Sequence, residues 1–265
     1  MWALWIALQI SGPAHGWTQV DADVRRIHDD SSSASERLTK ISALFVGAPY
    51  QLSPLGEGAG QDPDPIARFD RFDCVTYVEE VMALTRHRDL LAAVADLQQI
   101  RYSGGEIAYG KRRHIMMAQW IPENITAGRV RDVTRQVAGS QATHATLFLD
   151  AEDYETDEGK ALALQTADRP TGRFGLPIVP IDAAGWIERV PHGTILTTIR
   201  EDRPGVPYRA THVGLVIVAN GQRLIRHADK GRGRVVQEEL SAFVTRRRKR
   251  QRRPVTGFHL LALNP

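Results

Sequence analysis

The order of two periodicities along the chain is its strongest constraint on fold. Apolar residues recur at helical spacing over 20–46 and 73–100, and strand patterning follows over 143–149, 195–199, 211–229 and 254–263. Helices first and strands later predict an α+β fold rather than alternating βαβ units. With 42% hydrophobic and 25% charged residues, the 265-residue chain can close one large core, and 17–265 reads as a single domain without internal repeats. The stretch 53–66, rich in Gly, Pro and Asp, reads as a long ordered loop, and 151–176 as a second, more mobile one.

Cys74 is the one cysteine, which excludes an intrachain disulfide. In RFDCVTYVEE (71–80), Asp73 is a good N-cap, and Val75, Val78, Val81 and Met82 continue at helical spacing. The thiol then falls in the first turn, at the positive end of the helix dipole, among N–H groups with no intrahelical partner. Both features favour the thiolate. The alternative is an inert, packed thiol.

A nucleophilic cysteine needs a base, usually distant in sequence. Of the nine histidines the best placed is His212, in THVGLVIVANG (211–221), an apolar strand closed by an Asn-Gly turn. A second short strand, 223–229, carries His227 near its end. Antiparallel pairing across that turn predicts His212 and His227 as neighbours, an imidazole base supported by a second ring. Either histidine alone reads more readily as a solvated or hydrogen-bonded structural residue.

Asp-Cys at a helix start, then His-Val-Gly on a strand and His-Ala one hairpin on, resembles the NlpC-type papain-like hydrolases of bacterial cell walls. Gly47-Ala48-Pro49-Tyr50 matches the Gly-x-Pro-Tyr segment that precedes the nucleophile there. The strings PLGEG (54–58), RFDRFDCVTYVEEVMAL (68–84), IRYSGG (100–105), RRHIMMAQWIPEN (112–124) and RDVT (131–134) are similar to the N-acetylmuramoyl-L-alanine amidase-like branch, first described as a domain of unknown function. The resemblance runs from about residue 40 to the C-terminus. It implies a papain-like fold with the nucleophile at the N-terminus of a helix packed on an antiparallel sheet. Cys74 would be the nucleophile, His212 the general base and His227 the residue that orients it.

Tyr50 would place its hydroxyl near the nucleophile, beside the Cys74 N–H, as a second oxyanion donor. The loop 53–66 would cross the site, since Tyr50 and Cys74 must converge there. His114 and Trp120 belong to a segment typical of the branch. Trp120 could offer a flat face to a sugar ring and Arg112 and Arg113 could meet a carboxylate, against the plainer reading of a packed aromatic beside a solvated basic turn. Departures from the branch fall at Gly193-Thr194, where many relatives carry Gly-Asp, and at Arg113 and Gln119, where the pattern has Asn and Asp.

The N-terminal MWALWIALQISGPAHGW has a short apolar run, with Ala14-His15-Gly16 as a small-x-small cleavage site and no Lys or Arg before it. It reads as a signal-peptide remnant over 1–16, too short to span a bilayer, and implies export to the periplasm or outer membrane of a bacterium. An apolar N-terminal strand or helix is the alternative. The run TRRRKRQRRP (245–254) places seven Lys or Arg within 246–253; without them the formal charge of +3 becomes −4, so the basic character is local. No interleaved aromatics or nucleic-acid-binding pattern accompany it, so nucleic acid is not expected. It reads as a solvated connector, or as a contact of Arg246–Arg253 with anionic wall polymers or lipid headgroups.

These readings predict a cysteine amidase that hydrolyses the N-acetylmuramoyl-L-alanine bond of peptidoglycan or muropeptides through a thioester. No cofactor is called for, since one cysteine and scattered histidines make no zinc set. The alternatives are an endopeptidase cutting the stem peptide at D-glutamate, and a catalytically silent wall- or nucleic-acid-binding module driven by 246–253.

Overall fold

The computed structural model describes residues 14–249 and 252–264. The helices are α1 Ala14–Asp29, α2 Ala34–Leu44, α3 Cys74–Arg86, α4 Leu90–Arg101, α5 Ile121–Thr126, α6 Thr134–Ala138, α7 Asp157–Lys160 and α8 Leu240–Arg248. The strands are β1 Val130–Asp132, β2 Thr143–Leu149, β3 Gly172–Pro180, β4 Thr194–Arg200, β5 Ala210–Ala219, β6 Gln222–Asp229, β7 Arg234–Glu239 and β8 Val255–Leu263. Two compact units divide them. One takes in the described residues of Met1–Tyr109 with Arg226–Gln237, the other Gly110–Ile225 with Glu238–Asn264. The expected signal segment lies outside the described residues up to 13; Ala14, His15 and Gly16 are the first residues of α1.

The first unit is mainly helical. Ser33 and Asp89 cap α2 and α4 through side-chain oxygens, as short polar residues do ahead of an apolar repeat. Its core includes an aromatic cluster: Phe45 meets Phe72 at 5.0 Å and Phe72 meets Tyr77 edge-on at 5.8 Å. Burying each such ring stabilises by roughly 2–3 kcal/mol. The Tyr77 hydroxyl, enclosed there, donates to the Ser42 carbonyl at 2.9 Å. Here the end of β6 neighbours β7.

The second unit is an antiparallel sheet in the order β2-β3-β8-β4-β5, with β1 also on β8, and β6 beginning next to β5. Central β4 is buried at every position, as a strand covered on both faces must be. Phe243 from α8 packs on Phe258 of β8, and Trp186 closes on the same ring at 5.4 Å. Asn220 and Gly221 both take positive φ, 50° and 77°, the primed turn that the Asn-Gly pair predicts.

The α+β expectation therefore holds as a mixed fold with an antiparallel sheet. Among the described residues three strands escaped the sequence pattern: the three-residue β1, β3 and β7. β3 carries Gly172, Gly175, Pro177 and Pro180, which break the alternation; Pro177 still serves, accepting from His259 Nδ1 through its carbonyl at 2.9 Å. The stretch 151–176 is thus partly strand. Its remainder is tied down by Tyr154 donating to the Pro170 carbonyl at 2.6 Å and by Thr156 Oγ1, which donates to the Gly205 carbonyl at 2.6 Å and accepts from Gly159 N at 3.0 Å. β7, RVVQEE, has too few apolar residues to read as a strand alone.

Candidate active site

Tyr50 is set by its own backbone. Gly47 N donates to Val235 O, Val235 N to Ala48 O and Tyr50 N to Gly233 O, at 2.8–2.9 Å, so the segment 47–50 runs beside β7. On its other side Phe72 N donates to Pro49 O and Gln51 N to Phe72 O, both at 3.0 Å. Pro49 has no N–H to satisfy, and Gly47 adopts φ 95°, which a side chain would resist. The Gly-x-Pro-Tyr segment is therefore a strap joining β7 to the residues ahead of Cys74. The loop between them closes as expected, its two ends meeting at Tyr50 and Phe72.

Cys74 is the first residue of α3 and half-buried. Asp73 Oδ1 accepts from Val75 N and Thr76 N at 2.9 Å each, while Thr76 Oγ1 accepts from Asp73 N at 2.9 Å, a complete capping box. Asp73 Oδ2 takes Ser53 N at 3.1 Å, pinning the start of the loop to the start of α3. The capping expectation is met, and the thiol stands where the helix dipole favours negative charge. The Tyr50 hydroxyl is pushed up to about 12, first by burial and then by the negative charges of Cys74, Asp73 and Asp229. It keeps its proton at any physiological pH and is a hydrogen-bond donor there.

Beneath this lies a buried polar layer that the sequence did not announce. Helix α3 is enclosed on all sides, so Glu79 and Glu80 are 3% and 1% exposed. Glu79 faces Arg101 of α4 at 3.6 Å, and Arg101 also donates to Leu55 O at 3.3 Å. Glu80 Oε1 accepts from Arg68 N at 3.2 Å, and burial raises its pKa well above the carboxylate range. The Tyr102 hydroxyl donates to Gly56 O at 3.0 Å. The bonds of Arg101, Glu80 and Tyr102 tie the two helices to the loop ahead of Cys74. The only hint in the sequence was an acidic pair within an apolar helix.

His212 lies on β5 in the second unit, half-buried and in register opposite Thr198 of β4. Its ring stacks on Phe243 at 5.9 Å, 28° from parallel. His227 lies on β6 in the first unit, fully buried. His227 and Asp229, on one face of β6, bring an imidazole nitrogen and a carboxylate oxygen within 4.8 Å of each other.

Of the two readings of Trp120, its burial matches the packed aromatic. It is 1% exposed, at the end of a π-type turn Met116–Trp120, and enclosing so large an apolar ring outweighs leaving a face open for a sugar. Gln119 Oε1 accepts from Ile115 N at 3.0 Å and closes that turn, a structural use for the departure there. Arg113 is buried against Glu123 at 2.9 Å, so its guanidinium is engaged within the chain. His114 is half-buried just before the turn. Thr194, the other departure, is buried with its hydroxyl donating to Pro191 O at 2.8 Å.

The basic run is less free than its charge suggests. Arg246 pairs with Glu238, Arg247 lies over the Phe243 ring at 4.6 Å, Arg248 donates to Ile181 O at 2.8 Å, and Arg253 lies over Tyr208 at 5.2 Å. A groove of about 470 Å³ between 182–188 and α8 includes Arg248, but none of the residues singled out above for chemistry. No helix among the described residues is long and apolar enough to cross a membrane.

A model of the N-acetylmuramoyl-L-alanine amidase-like family matches residues 40–250. Among solved structures, a Legionella pneumophila protein assigned to a domain family of unknown function is similar with a TM-score of 0.82 at 23% identity, over 96% of this chain and 97% of that one. An N-acetylmuramoyl-L-alanine amidase from Bacteroides uniformis is similar with a TM-score of 0.69 at 21% identity, over 88% and 99%. A Bacteroides fragilis protein described as a candidate xylanase reaches 0.65 at 24% identity, over 84% and 99%. At such identities the likeness is one of fold, which several chemistries can share. No curated protein matches the sequence.

Proposed function

The chain belongs to the N-acetylmuramoyl-L-alanine amidase-like family, and on that premise we propose that it is a cysteine amidase of peptidoglycan or muropeptides. The Cys74 thiolate attacks the lactyl carbonyl carbon of N-acetylmuramic acid. Protonated His212, oriented by His227, gives its proton to the departing L-alanine nitrogen as the C–N bond breaks and a thioester forms. Water then attacks the thioester, His212 takes its proton, and the lactyl carboxylate leaves with the thiol restored. The Cys74 N–H and the Tyr50 hydroxyl donate to the oxyanion of each tetrahedral intermediate.

One observation carries this reading: the sole cysteine opens a capped helix beside a phenol whose proton is held up to about 12. The same reading takes the chain as a papain-like hydrolase of the NlpC type, acting after export. The test is mass spectrometry of products from a disaccharide-tetrapeptide muropeptide, with Cys74→Ala alongside. Free disaccharide and intact tetrapeptide, absent with the variant, are expected. A cut inside the peptide moves the specificity to the D-glutamate endopeptidase, and cleavage that survives in Cys74→Ala refutes the cysteine mechanism.

A further inference from the structure

The amidase chemistry leaves the basic run without a task, yet its arginines are placed with care. Phe243 and Arg247 stand one helical turn apart on α8, and the Arg247 guanidinium covers the Phe243 ring at 4.6 Å, within the range of cation–π attraction. The His212 ring also stacks on Phe243, 5.9 Å away and 28° from parallel. Phe243 is fully buried and packs beside Phe258 at 6.3 Å, which restricts its movement. Arg246, next along, ties α8 to Glu238 at the end of β7. An imidazole on a strand turns easily about its last torsion, which has broad, two-fold minima. Proton transfer needs that plane held within roughly 10–20°. A fixed flat ring against one face supplies such a hold.

We propose that Phe243 is a positioning residue for His212, and that Arg247 of the basic run secures the Phe243 ring. The inference rests on the amidase reading, in which His212 moves the proton. Phe243→Leu keeps apolar bulk and removes the flat face; Phe243→Tyr keeps both. With the disaccharide-tetrapeptide as substrate, Phe243→Leu is expected to lower kcat about 10- to 100-fold with KM unchanged, the scale of a misplaced catalytic group. Phe243→Tyr stays near the parent. Arg247→Gln, at a half-exposed site, loses roughly two- to fivefold in kcat, in keeping with the modest strength of a partly exposed cation–π contact.

A purely structural role predicts something else: matched losses of Tm and active fraction in the Leu and Tyr variants, without a split between kcat and KM. Proton NMR of the parent protein adds a readout independent of turnover, should Phe243→Leu not fold. The His212 ring protons, assigned with His212→Gln, should lie upfield from the Phe243 ring current, and unshifted signals would overturn the proposal. So would parental kcat in Phe243→Leu, or a Phe243→Tyr as impaired as the Leu variant. His212→Ala separates the two levels. If it remains active, the base assignment fails and the proposal with it. If it is inactive while Phe243→Leu turns over normally, only the present proposal fails.

Discussion

Replacing Asp73 by alanine tests the helix start on which Cys74 depends. The carboxylate accepts three backbone N–H groups, Val75 and Thr76 at 2.9 Å and Ser53 at 3.1 Å, and alanine removes all three. Loss of an N-cap costs about 1–2 kcal/mol. Release of the charge-assisted bond to Ser53 adds about 1 kcal/mol, tempered by water reaching the freed N–H of an exposed loop. The bond from Asp73 N to Thr76 Oγ1 needs only backbone and survives. The sum is about 2–3 kcal/mol, which for a chain of this size lowers Tm by roughly 5–10 °C. Asp73→Asn keeps an acceptor for the helix and loses chiefly the Ser53 bond, about 1 kcal/mol. Urea unfolding followed by far-UV circular dichroism measures both. An alanine variant within about 0.5 kcal/mol of the parent, or equal losses for alanine and asparagine, would refute the capping argument.

Tyr50→Phe removes a proposed oxyanion donor and should lower kcat about 100-fold while leaving Tm within a degree or two; parental kcat in the muropeptide assay would take the hydroxyl out of the chemistry. Glu80 holds its proton when folded and releases it when unfolded above its ordinary value of 4.5. The folded state therefore binds more protons over the window from there to its raised folded pKa, and stability falls as pH rises through that window. Glu80→Gln should flatten the fall and be the more stable protein at pH 8 than the parent; a steeper decline in the variant, by urea unfolding at pH 5 and 8, contradicts the assignment. Gly257→Ala drives a Cβ into the Val179 carbonyl where β3 and β8 approach, and should cost about 1–3 kcal/mol in the same unfolding assay, whereas a neutral outcome would show that the strands have room to part.

Helix α3, the Asn220-Gly221 hairpin and the closure of the loop onto Tyr50 were all legible in the sequence, each through a signal a few residues long. The candidate site was legible to the same depth: Cys74 and its cap from local pattern, Tyr50 from the Gly-x-Pro-Tyr segment. Trp120 was not, because an indole in MMAQWI reads alike as a sugar platform or as core. β3 was hidden by its glycines and prolines, and β7 by its polar residues; both are strands through neighbours, the first through β2 and the second through the strap at 47–50.

By itself the sequence determined whatever short-range chemistry can specify. That covers a capped helix opening on the sole cysteine, a primed turn between two apolar strands, and helices ahead of an antiparallel sheet. Only the tertiary structure decided what each side chain faces. It enclosed Glu79 and Glu80 under the loop, shut Trp120 into the core and laid Arg247 over Phe243 against His212. The physical reason is that capping and turn preferences act over a few bonds. Burial and ring stacking depend on segments more than 30 residues apart, as His212 and Phe243 are, which no local pattern records.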